Sequence, residues 1–292
     1  MHFWDRRRFD YAWLAGAGPA LERDFGPDDL APELSPLAGS GPVSLVFVQA
    51  DCRSDQSAAE AAWVHRLARA GAPVLAVVAH ASLERGRDCA AELERLVAEV
   101  PVVSGVRRLL QDEPPGFVTA GSLREGVGLL ARHGLAMDLC VRQHQLSEVA
   151  ELVRSCPEVL FVLDHLGKPR IADDELAAWA ADISRLAALP NVRCKLSGLL
   201  SEAPPERRTS ISLRPWLDHA LGAFGPERCM FGSDWPVLTA AGGYDQWHRI
   251  VLDAISGLAG EQQRQVLSGT AAATYDPGNR AARAKDSCHG SD

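Results

Sequence analysis

"VLFVLDHLGKP" (159–169) is a short apolar run that ends in an aspartate, a histidine and, after a glycine, a lysine. An unbroken apolar run of this length suits a strand buried on both faces, and such strands belong to parallel sheets covered by helices. The run is one of a series: "VSLVFVQA" (43–50), "PVLAVVAH" (73–80), "VVSGVRRL" (102–109), "LAMDLCV" (135–141), "NVRCKLSG" (191–198) and "RCMFGSD" (228–234) repeat the pattern. Between them lie stretches with helical spacing, such as "SAAEAAWVHRLARAG" and "DDELAAWAADISRLAAL". Strand and helix in alternation imply βαβ units. Polar residues gather at or just beyond the C-terminal end of each run: Gln49, His80, Arg107, Arg142, Asp164, His165, Lys195 and Asp234.

In a (β/α)8 barrel that edge collects site residues, while the interior is packed with apolar layers. A doubly wound sheet fits the same rhythm, but no glycine-rich phosphate loop follows the first run. The expectation is therefore an α/β chain folded as a distorted (β/α)8 TIM barrel. Only seven runs can be counted where the barrel needs eight. The missing strand falls before residue 43, with the first few residues as its remnant, so the first strand is expected to be truncated.

The stretch Asp5–Pro42 is rich in Pro, Gly, Asp and aromatics and reads as a long irregular loop over the barrel mouth. Phe9, Tyr11 and Trp13 favour a packed lid. "PGNRAARAKDSCHGSD" at the other end is a polar tail. The expected organisation is one barrel domain over 1–276 and a disordered tail over 277–292.

The chain has 292 residues, long enough for a sizeable single core. A net charge of -8 argues against a nucleic-acid surface. No apolar run approaches the roughly 20 residues that span a bilayer, and the basic-then-apolar pattern of a secretory signal is absent, so no membrane partner is expected. The seven cysteines are scattered, odd in number and without a CxxC pair. They read as reduced thiols of a cytoplasmic protein. Outer helical faces of such barrels often pair, which leaves a homo-oligomer open.

"MFGSDWPV" (230–237) is the strongest chemical signal, since a strand delivers Asp234 to its C-terminal end, where a carboxylate can bind a metal or take a proton from water. The plainer reading is an aspartate that caps the next turn. In "FVLDHLGKP", His165 suits proton transfer with the cation Lys168 close behind. Its plainer reading is a packed imidazole, with Asp164 bonded to loop amides. Lys195 lies mid-strand among apolar residues, where an unpaired charge is costly, so it is expected to face the mouth and an anionic partner. Of the adjacent arginines in "GVRRLLQDEP", Arg107 is taken as the inward one. His65, His133, His144, His219, His248 and His289 read as surface or helix residues.

Taken in order, "HFWD", "VFVQA", "GVRRLLQDEP", "LDHLGKP", "CKLSGL" and "FGSDWPV" resemble the amidohydrolase superfamily, and within it the L-fuconolactonase-like and L-rhamnonolactonase-like sugar-lactone hydrolases. The match runs from His2 to about Tyr275. The family commonly begins "DAHQHFWD", so the resemblance aligns His2 with the second histidine of that motif and leaves the first without a counterpart. Arg108 stands where "VRHLIQDEPD" has histidine, Pro115 where it ends in Asp, His80 where Trp is common and Thr270 where Asn is usual.

The resemblance implies hydrolysis of an aldonolactone-like cyclic ester, a small-molecule sugar lactone, to its acid. Asp234 would activate water, with His165 assisting. Arg107, Lys168 and Lys195 would stabilise the oxyanion and the product carboxylate. Trp4, Gln49 and Trp235 would line the sugar pocket. One divalent ion, zinc or manganese, would be held by His2, His165 and Asp234; no organic cofactor is expected. The alternatives are a related decarboxylase or lactone isomerase, or a truncated inactive member.

Overall fold

The computed structural model describes residues 1–35 and 41–288, with side chains through residue 284. Seven strands form, each within one of the apolar runs: β1 (Leu45–Val48), β2 (Val74–Ala79), β3 (Val103–Arg107), β4 (Ala136–Leu139), β5 (Phe161–Leu163), β6 (Val192–Leu196) and β7 (Cys229–Phe231). They pair in sequence order, and every pair is parallel. Helices such as Ser57–Arg69, Leu146–Ser155 and Ser210–Phe224 return the chain from one strand to the next. The curled sheet with its helical shell is the expected distorted (β/α)8 barrel.

Among the described residues no eighth strand joins either edge of the sheet. The N-terminal residues span that seam instead. The Val48 amide donates to Met1 O at 2.9 Å, and the His2 amide donates to Trp235 O at 2.7 Å. His2 is thereby set between β1 and the segment after β7.

Each strand presents two buried faces. The outer faces, with Phe47, Val77, Val106, Leu139, Leu163 and Leu196, pack against the helices. Inside the barrel, Val48, Ala76, Val78, Ala136, Val162 and Met230 surround the ring of Tyr275. Tyr275 ends the helix Thr270–Tyr275, whose Thr270 hydroxyl donates to Glu227 O at 3.0 Å, just before β7 begins. The ring therefore enters from the N-terminal end of the barrel and plugs it.

The segment after Trp4 is a packed cover. Trp4 and Phe25 exchange backbone hydrogen bonds at 3.0 and 2.9 Å. Phe9, Tyr11 and Leu14 are buried, and Trp13 donates its indole N–H to Ala50 O at 2.8 Å. Residues 36–40 of the expected loop lie outside the described residues.

The first part of the polar tail forms two short elements. Pro277–Asn279 form a 3-10 turn and Arg280–Cys288 a helix. Arg280 donates to Val103 O at 2.8 Å and Arg283 to Gly134 O at 3.0 Å, so guanidinium groups satisfy carbonyls at the base of the barrel. His289 and the residues after it lie outside the described residues. Among the described residues no helix is long and apolar enough to cross a membrane.

Candidate active site

The chain after β5 makes an unusual turn. His165, Leu166, Gly167 and Lys168 all have left-handed backbone, with φ of 52°, 53°, 72° and 50°. For L-residues this costs roughly 1–2 kcal/mol each, so surrounding contacts must hold it. The Trp179 indole donates to Leu166 O at 2.8 Å. Gly167 lies so close to Leu146 that a Cβ would come within 2.7 Å of its Cδ2. The His165 ring lies against Gly198, where a Cβ would stand 2.7 Å from Nδ1. So held, His165 places Nδ1 2.9 Å from Ser197 Oγ and turns Nε2 toward Asp234.

Asp234 follows β7, itself with a φ of 56°. Two imidazoles converge on its Oδ1: His2 Nε2 at 3.3 Å and His165 Nε2 at 3.7 Å. His2 Nδ1 is 2.8 Å from Val48 O. A carbonyl oxygen only accepts, so Nδ1 carries the hydrogen and the Nε2 lone pair faces the carboxylate. Burial pushes His2 down to about 4 and also lowers His165, so both rings are neutral near pH 7. Burial alone would raise Asp234, but the charge that His165 and His2 carry in the acid range where the carboxyl titrates outweighs it and holds the carboxyl well below the usual range.

Beneath these three residues lies a buried chain of alternating charge. Arg107 donates to Asp164 Oδ2 at 3.1 Å and to Gln49 O at 2.6 Å. Lys195 Nζ is 2.7 Å from Asp164 Oδ1 and also donates to Asp138 Oδ2. The Tyr275 hydroxyl donates to Asp138 Oδ1 at 2.7 Å. Burial would raise Asp164, but Lys195 and Arg107 overcome it and keep the group ionised. Burial also opposes the charge of Lys195, which Asp138 and Asp164 restore and strengthen. The expected oxyanion role of Arg107 and Lys195 thus meets a competing engagement: two cations are matched by two carboxylates. Arg108 turns to the other side of β3, against Glu84 and Glu113.

The remaining candidates lie around this centre. Lys168 is at the rim, donating to Gln111 Oε1, with Glu202 at 3.9 Å. Gln49 is buried, its Oε1 accepts the Asp51 amide at 2.5 Å, and its Nε2 has no hydrogen-bond partner among the described residues. Trp4 and Trp235 are each 1% exposed. Trp4 packs edge-on against Trp13 and Phe25, and Trp235 against Phe3 and Phe25. Both indoles are thus buried in one aromatic cluster. His80 directly follows β2.

Sequence reasoning did not single out Asp138, Ser197, Tyr275 or Glu60. Asp138 carried a readable signal, a carboxylate inside an apolar strand with a lysine inside another. Tyr275 carried none, because its partner is 137 residues away.

The donor set suits a divalent ion. Two neutral imidazoles each turn Nε2 toward the ionised Asp234 carboxylate, at 3.3 and 3.7 Å, and nitrogen and oxygen donors of this kind are zinc or manganese ligands. Donor atoms of Cys140, Asp164 and His165 lie within 4.8 Å of one another. Asp164, however, is already committed to two cations, which favours the set built on Asp234.

An amidohydrolase family model matches residues 1–276, and the chain belongs to that family. It is 37% identical to an L-fucono-1,5-lactonase from Burkholderia multivorans, over 94% of this chain and 93% of that protein. It is 26% identical to an L-rhamnono-gamma-lactonase from Scheffersomyces stipitis, over 61% and 60% of the two chains. The crystal structure of an amidohydrolase from Burkholderia multivorans with bound zinc superposes with a TM-score of 0.82 at 36% identity, covering 94% of this chain and 96% of that one.

Proposed function

We propose that this protein hydrolyses a sugar-derived lactone to the corresponding hydroxy acid. The observation that carries the reading is the convergence of His2 and His165 on Asp234 Oδ1 at the C-terminal edge of the barrel. The lactonases among its relatives support the substrate class. Asp234 is ionised throughout the working range and accepts a hydrogen of the attacking water, orienting it toward the lactone carbonyl. His165, neutral and fixed by Ser197, assists by orienting that water, and the proton taken up by Asp234 passes to the ring oxygen as the C–O bond breaks. Lys168, at the rim, would meet the carboxylate that forms.

His2, His165 and Asp234 would hold one zinc or manganese ion, which would supply Lewis-acid polarisation of the carbonyl. The residues' own part is to bind, orient and move the proton between Asp234 and the leaving oxygen. A cytoplasmic setting is supported by the free, buried state of the six described cysteines.

The test is a panel of sugar γ- and δ-lactones followed by acid release with a pH indicator. Asp234→Asn is expected to lower kcat by roughly 10²–10⁴-fold. Undiminished turnover by that variant would rule out the role given to Asp234. Turnover of aromatic carboxylic acids instead of lactones would favour the decarboxylase reading.

A further inference from the structure

We propose that Tyr275 and Asp138 are positioning residues of the active site. Acting through Lys195 and Asp164, they hold the left-handed turn that aims His165 at Asp234. The effect on turnover rests on the lactonase reading; the positioning itself does not.

The chain of contacts is continuous. Tyr275 lies at the base of the barrel, and its hydroxyl donates to Asp138 Oδ1 at 2.7 Å. Asp138 Oδ2 accepts from Lys195, whose Nζ also stands 2.7 Å from Asp164 Oδ1. Asp164 Oδ2 accepts from Arg107, which is tied in turn to the Gln49 carbonyl. The next residue is His165, the first of the four left-handed positions. Asp164 therefore anchors the start of a turn whose conformation L-residues resist, as Trp179 anchors its middle.

Removing the Tyr275 hydroxyl would leave Asp138 Oδ1 without a donor in a wholly buried place. Lys195 is the neighbouring cation and has three hydrogens to give. It would be drawn to serve both oxygens of Asp138 and would move off Asp164. With one of its two anchors slackened, Asp164 would no longer fix the turn, and His165 would lose its aim. The coupling runs through an electrostatically balanced chain of two carboxylates and two cations, which is why loss of a single neutral hydroxyl is felt at the far end.

Tyr275→Phe tests this, since it keeps the ring that plugs the barrel. The histidine ring signals of nitrogen-labelled protein are compared with wild type, with His165 assigned by its loss in His165→Asn. The expected result is a shift of the His165 signals and none for His65 on the outer helix. In lactone hydrolysis, kcat is expected to fall about tenfold with KM within about twofold. In a His165→Asn background the same change is expected to alter kcat less than about twofold, because its route of action is already cut.

Unmoved His165 signals, or an equal loss of kcat in both backgrounds, would overturn the proposal. Asp138→Asn, which preserves shape and removes the charge, is the second variant and is expected to move the same signals further. Should the wild type open no lactone, the functional reading fails while the ring signals still decide the positioning.

Discussion

His2 Nε2 stands 3.3 Å from Asp234 Oδ1, bringing together residues 232 positions apart in the chain. The contact crosses the seam of the barrel, because His2 is bonded to the β1 side through Val48 O and to the β7 side through Trp235 O. The site is thus assembled where the first and last strands of the sheet approach each other. It depends on the N-terminal residues for its geometry.

Metal content follows from that geometry. Protein incubated with zinc or manganese and then dialysed is expected to retain about one ion per chain, by elemental analysis. His2→Ala and Asp234→Asn are each expected to weaken retention by at least about 10-fold, since each removes a direct donor. An active enzyme with no tightly bound metal would exclude a required ion.

Gly198 provides a steric test of His165. Its φ is +75°, and a Cβ there would stand 2.7 Å from His165 Nδ1, with Cβ and Cγ of the ring at 2.8 Å. Gly198→Ala is expected to cost about 1–2 kcal/mol from the backbone conformation alone. It should also displace the imidazole and cut kcat by up to roughly 10²-fold, the cost of a reacting group misplaced by about 1 Å. Thermal melting and steady-state kinetics read the two effects separately. A variant that melts lower but turns over normally would show that the ring has no need of this seat.

The lid carries a pH dependence of its own. Glu60 is 1% exposed on the helix Ser57–Arg69 and joins the Tyr11 hydroxyl, at 3.0 Å, to the Ala50 amide. Burial raises its pKa from 4.5 to about 7. Between these values the folded protein holds a proton that the unfolded chain has released. The stabilisation is therefore fully present below 4.5 and is lost as the pH rises through about 7, amounting to about 3 kcal/mol. Denaturant unfolding at pH 5 and pH 8 is expected to show this loss in the wild type and not in Glu60→Gln. The same slope in both proteins would place the pH dependence elsewhere.

The seven strands were legible because parallel strands buried on both faces need continuous apolar runs, and the chain has seven of them. His165 and Asp234 were legible because each directly follows such a run. What lies beneath was not. An apolar pattern marks a lysine such as Lys195 as anomalous, but does not say that its partner is Asp138, 57 residues earlier, rather than a substrate. The contacts of the tail were hidden for a related reason. Its polar composition resembles disorder, yet Arg280 and Arg283 are spent on backbone carbonyls that only the assembled barrel presents.

Arg107 separates the two roles that a buried cation at a barrel mouth can play. It is 5% exposed and bonded to Asp164 Oδ2 and Gln49 O. Were it chiefly a substrate ligand, Arg107→Gln would raise KM or lower kcat and leave stability nearly unchanged. As an anchor, its loss leaves Asp164 with Lys195 as its remaining cation and a buried charge only partly matched, which costs about 3–5 kcal/mol. For a chain of this size that corresponds to a fall in Tm of roughly 10 °C. Arg107→Lys should recover little of it, because an ammonium lacks the planar fork that reaches a carboxylate and a carbonyl together. The expected pattern is a large loss of stability in both variants, with KM for the lactone moving less than kcat as the turn at His165 loosens. A stable Arg107→Gln protein with a greatly raised KM would return Arg107 to the substrate.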